Sequence, residues 1–172
     1  MDGIRLPRTV EAEADAASLA AELATRSQLL WAGGALGVPR AELSPALESA
    51  LASAFAAGRV VRGLEGAERA LAAEERGLRN VDRKTGVERG VRVSRLLVLS
   101  DDGSERFYRD VESLLRHQGP RVLALRLAAD EATLGRLVFG ADQVARLLLV
   151  EHKQAVSAVL LALAAQWGAG ER

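Results

Sequence analysis

Three stretches carry residues whose types and spacing can do chemistry. In VLSDDGSERF an apolar run ends in Asp101, Asp102, Gly103 and Ser104. Carboxylates at the carboxyl edge of a buried strand are where α/β proteins hold metals and phosphates. A turn in which Asp102 or Ser104 caps the next helix gives the same pattern. In ARLLLVEHKQAV, Glu151, His152 and Lys153 separate two apolar runs. They form either a solvated loop opening a helix or the rim of a site. The third stretch is a run of charge: residues 59–95 hold 10 basic and 6 acidic residues, against 4 and 7 in residues 1–58 and 9 and 10 in residues 96–172. A basic surface, if the protein has one, is built from the middle of the chain.

Several chemistries are excluded by what is missing. With no cysteine there is no thiolate chemistry and no Cys-based zinc site. His117 and His152 lie too far apart for an HxxxH or HxH pair. No GxSxG elbow, phosphate loop or GxGxxG fingerprint is present, and Gly33, Gly34 and Gly37 follow a helical pattern rather than a strand. The DDGS loop resembles the start of the haloacid-dehalogenase phosphatases, whose first strand ends in D-x-D-G-T. Aligned on Gly103, Ser100 falls where that family needs its aspartate nucleophile, so the covalent step lacks an attacking group. A small metal-dependent hydrolase using Asp101 and Asp102 is thus the weaker alternative, and the expectation is a non-catalytic protein with no cofactor and no metal.

The elements that must position these residues read as α/β. Residues 8–31 form an alanine-rich helical pattern with Leu19, Leu23 and Leu30 near one stripe. Ser44 and Pro45 announce a helix that closes at Gly58. Val60 and Val61 form a short β-like piece before Gly63 and a helix carrying Leu64, Ala67, Leu71 and Leu78. Residues 80–92 read as a loop or small ribbon. Residues 93–100, 121–127 and 145–150 are nearly continuous apolar runs separated by helical segments, the signature of one parallel or mixed sheet covered on both faces. The start, MDGIRLPRTV, lacks a signal-peptide core, and AVSAVLLALAA is too short to span a bilayer. A cytoplasmic protein without membrane contact is expected.

From about residue 50 the order of elements resembles the L-seven-Ae superfamily, which includes kink-turn RNA-binding ribosomal proteins and the third domain of eukaryotic-type release factors. LASAFAAGRVVRGLEGAERAL matches its helix and G-[KR]-x-x-x-G segment through Gly58, Arg59 and Gly63. RLLVLSDDGS matches the strand with an acidic loop, and ATLGRLVFGADQVARLLLVEHKQAV matches the closing part through Leu134 and Gly135. The resemblance implies an RNA grip from a G-x-N-E-x-x-K segment and from the loop between the last strand and last helix. Carried over, Gly63 is retained, Glu65 stands at the asparagine, Gly66 at the acidic position, and Arg69 replaces lysine. Arg59, Arg62, Arg69 and Lys153 are then expected on one edge, with Lys84 in a basic loop over residues 76–92.

The expected architecture is a three-layer α/β/α sandwich over residues 50–172, preceded by an N-terminal helical extension over residues 1–49. The expected function is an RNA-binding or ribosome-associated module taking structured RNA, with Arg59, Arg62, Gly63, Glu65, Arg69, Lys84 and Lys153 at the interface. Aromatic residues make up 3% of the chain, so recognition would rest on arginines and backbone rather than base stacking. Arginine outnumbers lysine 21 to 2 beside abundant alanine, a skew that a GC-rich coding sequence explains without any nucleic-acid partner. The competing reading is a protein-interaction or scaffold module, with self-association through the N-terminal helices.

Overall fold

The computed structural model describes residues 3–85 and 91–169. Among the described residues seven α-helices and one short 3-10 turn (Gly119–Arg121) surround one six-stranded sheet. In chain order the elements are α1 (Arg8–Glu13), α2 (Ala16–Thr25), β1 (Ser27–Leu29), β2 (Gly37–Ala41), α3 (Pro45–Ala56), β3 (Val60–Arg62) and α4 (Leu64–Thr85). They continue with β4 (Arg95–Leu99), α5 (Glu105–Gln118), β5 (Val122–Leu127), α6 (Glu131–Phe139), β6 (Leu147–Val150) and α7 (Lys153–Ala169).

The strands lie in the order β1-β2-β5-β4-β6-β3. β2, β5 and β4 are mutually parallel, and β6, β3 and β1 each run antiparallel to a neighbour. The three apolar runs therefore share one mixed sheet. Their continuity has a direct cause: successive side chains alternate between two buried faces. Leu96 and Val98 join one core with α1, α2, α3, α6 and α7, while Leu97 and Leu99 join a second with α4 and α5. The result is a three-layer α/β/α sandwich.

Helix starts follow side-chain caps. Ser44 accepts from the Leu47 amide before Pro45, Ser104 from Phe107, and Asp130 from Thr133. The Leu134 and Gly135 pair has a packing cause: a Cβ on Gly135 would lie 2.3 Å from the Gln143 carbonyl oxygen and 2.4 Å from the Val144 Cα. No helix among the described residues is long and apolar enough to cross a membrane.

The N-terminal expectation and the basic-loop expectation are both corrected. Residues 1–49 are not a helical extension: they contribute two strands to the sheet, and Val10, Leu19 and Leu23 lie in the main core. The expected long helix breaks at Ala14, whose backbone is extended, because the Asp15 carboxylate accepts from the Ser18 amide and starts a new helix. Leu30 belongs to the opposite core from Leu19 and Leu23. The basic segment over residues 76–92 is not a loop throughout. Helix α4 continues to Thr85, and residues 86–90 lie outside the described ones.

Candidate functional site

The sheet has two ends. At the upper end β4 and β5 finish; at the lower end they begin. Because β3 runs antiparallel to β6 and β6 antiparallel to β4, β3 climbs in the same direction as β4. Arg59 therefore precedes β3 at the lower end and Arg62 closes it at the upper end.

At the upper end the acidic loop is bound within the protein. The Arg40 Nη2 donates to Asp101 Oδ2 over 2.8 Å and the Arg126 Nε to Asp101 Oδ1 over 2.7 Å. Burial pushes the Asp101 carboxyl up, but the hydrogen bonds from Arg40 and Arg126 outweigh it and hold it below the usual carboxylate range. Both oxygens of Asp102 accept from the Glu131 amide, at 3.1 and 3.2 Å, at the start of α6. The Tyr108 hydroxyl donates to the Ser100 carbonyl over 2.7 Å and accepts from the Gly103 amide over 3.0 Å. Among the described residues no cluster of three or more His, Asp or Glu side chains is arranged to hold a metal ion. Of the two capping candidates for the next helix, Ser104 caps α5, while Asp102 instead accepts the first amide of α6, whose cap is Asp130.

Arg62, Gly63 and Glu65 share this upper end. Arg62 donates to Gln143 Oε1 over 3.1 Å and to the Val144 carbonyl, and its guanidinium lies 4.7 Å from the Phe139 ring centre. It is thus committed to the loop between α6 and β6. Gly63 has φ of +87°, a left-handed conformation that glycine accommodates, and its amide donates to the Leu147 carbonyl over 2.9 Å. Glu65 is exposed in the first turn of α4, and Arg69 is exposed further along the helix.

The lower end collects Arg59 and Lys153. Val150 pairs with Val60 on one side and Leu96 on the other. The next residue, Glu151, donates its amide to the Arg59 carbonyl over 2.7 Å. Arg59 and Arg95 thus flank Glu151 from opposite sides, with His152 and Lys153 following. His152 takes a left-handed φ of +73°, uncommon for a residue with a side chain. Its Nδ1 accepts from the Gln154 amide over 3.3 Å. Burial first, and then the positive charges of Arg59, Arg95 and Lys153, hold its imidazole below the ordinary value. Arg95 Nε and Arg121 Nη1 grip the two oxygens of Glu74 at 2.8 and 3.0 Å. Among the described residues neither Arg59 nor Lys153 makes an ion pair with a carboxylate.

Helix α4 extends this end. Glu74 already touches Arg95, the first residue of β4, and Arg121, the residue before β5, so the turns from Glu75 to Thr85 extend about 16 Å beyond that contact at 1.5 Å per residue. Arg76 and Arg79 are exposed there, Arg79 being paired with Glu75 at 2.6 Å. Lys84 falls in the last turns, where side chains lie outside the described ones. The structure therefore joins Arg59 and Lys153, brings the helix bearing Lys84 to the same end, and leaves Arg62, Gly63 and Glu65 at the other. The expectation of one edge holding Arg59, Arg62, Arg69 and Lys153 is corrected by the strand register. Arg95 and Arg121 were missed in the sequence; the available signal was a basic residue opening each of two apolar runs.

No family model and no curated protein matches the chain. Among solved structures, a protein with unknown function from Bacillus halodurans is similar over 71% of this chain and 99% of its own, with 17% identity and a TM-score of 0.46.

Proposed function

We propose that this protein is a non-catalytic RNA-binding module of the cytoplasm, ribosome- or translation-associated, and that the lower end of the sheet faces structured RNA. The observation that carries this reading is the convergence of Arg59 and Lys153 across the β3–β6 pairing, neither of them ion-paired among the described residues. Arg95 stands on the far side of Glu151, and the projecting end of α4 adds Arg76, Arg79 and, by sequence, Arg83 and Lys84. Basic side chains from four elements at one end of a small domain suit a phosphate backbone followed by charge and shape. The element order from α3 to α7 also supports the reading, since it follows the order seen in the L-seven-Ae resemblance. The grip differs from the one that resemblance implies, because Gly63 to Arg69 begin at the opposite end.

The test is recovery of RNA crosslinked to the protein in cells, comparing wild type with an Arg59→Glu/Lys153→Glu double variant. Wild type should recover structured RNA and the double variant should lose most of it. Equal recovery from both would rule out the lower end as the RNA-facing surface.

A second reading has one observation in its favour. Phe55 and Val144 are 43% and 47% exposed, and Phe55 sits edge-on against Phe139 with ring centres 5.0 Å apart. An exposed apolar patch of this kind suits a protein partner, which is the interaction-module reading.

A further inference from the structure

We infer that His152 takes up a proton when a phosphate group of RNA binds between Arg59 and Lys153, so that binding strengthens as the solution becomes more acidic. The inference rests on the RNA-binding reading of the lower end and assigns that surface its regulation by pH.

The geometry holds His152 neutral while the surface is empty. Its Nδ1 accepts the Gln154 amide, so the ring's single proton belongs on Nε2. A second proton must go to Nδ1, where it breaks that bond and leaves the amide without its acceptor. It also adds a positive charge beside Arg59 from the start of β3, Arg95 from the start of β4 and Lys153 from α7. The carboxylates at this end do not compensate. Glu74 of α4 is held by Arg95 and Arg121, Glu11 of α1 by Arg92, and Glu75 of α4 by Arg79 with His117 of α5 at 3.3 Å. Glu151 lies between Arg59 and Arg95 and makes no ion pair among the described residues.

A bound phosphodiester reverses this balance. Its charge offsets the arginines and lysine that oppose protonation, and an oxygen near the ring accepts a hydrogen bond from the imidazolium. The proton balance is one taken from solvent for each His152 engaged, and no bond other than N–H is made. The free imidazole titrates below its ordinary value and the bound one above the free one, so affinity rises as pH falls between the two. The slope of log affinity against pH reaches at most about −1 for a single proton.

The experiment measures binding of the full chain to a labelled RNA hairpin at constant ionic strength, at about pH 8 and about pH 5.5, the span in which histidine charges. Wild type should bind about five- to tenfold more tightly at the lower pH. His152→Asn keeps a residue that tolerates left-handed backbone and offers an oxygen to the Gln154 amide, and its affinity should be the same at both values. Proton NMR of the His152 ring gives a second readout, with RNA raising its titration midpoint. A wild type that binds equally at both values, or a pH dependence that survives in His152→Asn, overturns the proton uptake and leaves the RNA reading standing. A wild type that binds the hairpin at neither value overturns both.

Discussion

The amide of Glu151 donates to the carbonyl of Arg59 over 2.7 Å, and this bond ties the edge strand to the start of α7. It leaves Glu151 as the carboxylate set between Arg59 and Arg95 on the proposed RNA-facing surface. Replacing it with glutamine keeps the backbone bond and removes a charge that repels phosphate. Glu151→Gln should tighten RNA binding about two- to fivefold at low salt, with the gain shrinking as salt screens the surface. Filter binding beside a thermal melt checks this, the melting temperature staying constant because Glu151 is not a core residue.

Asp101 joins β2 to β5 through Arg40 and Arg126. Asp101→Asn should cost about 1–2 kcal/mol, since two charge-assisted bonds are weakened at a partly exposed site. The folded pKa is depressed, so the carboxylate's contribution is present above the unfolded value near pH 4 and is lost as pH falls through the folded value. Melting temperatures of wild type and variant should therefore differ at neutral pH and converge in strong acid. Added magnesium or manganese should leave wild type unchanged, because Asp101 and Asp102 already have partners.

Glu112 on α5 accepts the amides of Leu36 and Ala35 at 2.8 and 3.1 Å, and it is 6% exposed. The Leu36 hydrogen bond is the main cause of its lowered pKa. Glu112→Ala should cost about 2–4 kcal/mol by leaving two amides without their acceptor. Hydrogen exchange at Leu36 should speed up more than exchange in β4. Equal protection of Leu36 in the variant would contradict the clamp.

Gly135 has no room for a methyl group, its neighbours being the backbone of residues 143 and 144 rather than a movable side chain. Gly135→Ala should cost about 1–3 kcal/mol as overpacking. Chemical denaturation measures it.

The legible part of this fold was the part buried on both faces. β4, β5 and β6 announced themselves because Leu96 to Leu99 and Leu147 to Val150 alternate between two apolar cores. β1 carried no such pattern, since Ser27, Gln28 and Leu29 are all exposed and the strand is defined by its pairing with β2. β2 contains Pro39, which argues against an interior strand, and its pairing with β5 is confined to Arg40 and Ala41. The site was half legible for a related reason. Arg59 and Lys153 both stand out in the sequence as basic residues beside short apolar segments. The direction of β3 is invisible in a Val-Val pair, yet at about 3.3 Å per residue it carries Arg62 roughly 10 Å away from Arg59 and toward the other end of the sheet.

The proposal that the lower end meets RNA is tested most directly by the salt dependence of binding to a structured RNA. Three chains are compared: wild type, Arg59→Ala/Lys153→Ala and Arg62→Ala/Arg69→Ala. Removing one side chain that neutralises a phosphate should reduce the logarithmic salt slope by about one. The expected result is a fall of about two for the Arg59 and Lys153 pair and an unchanged slope for the Arg62 and Arg69 pair. A fall confined to the Arg62 and Arg69 pair, or a wild type that does not bind at low salt, would contradict an RNA-facing lower end.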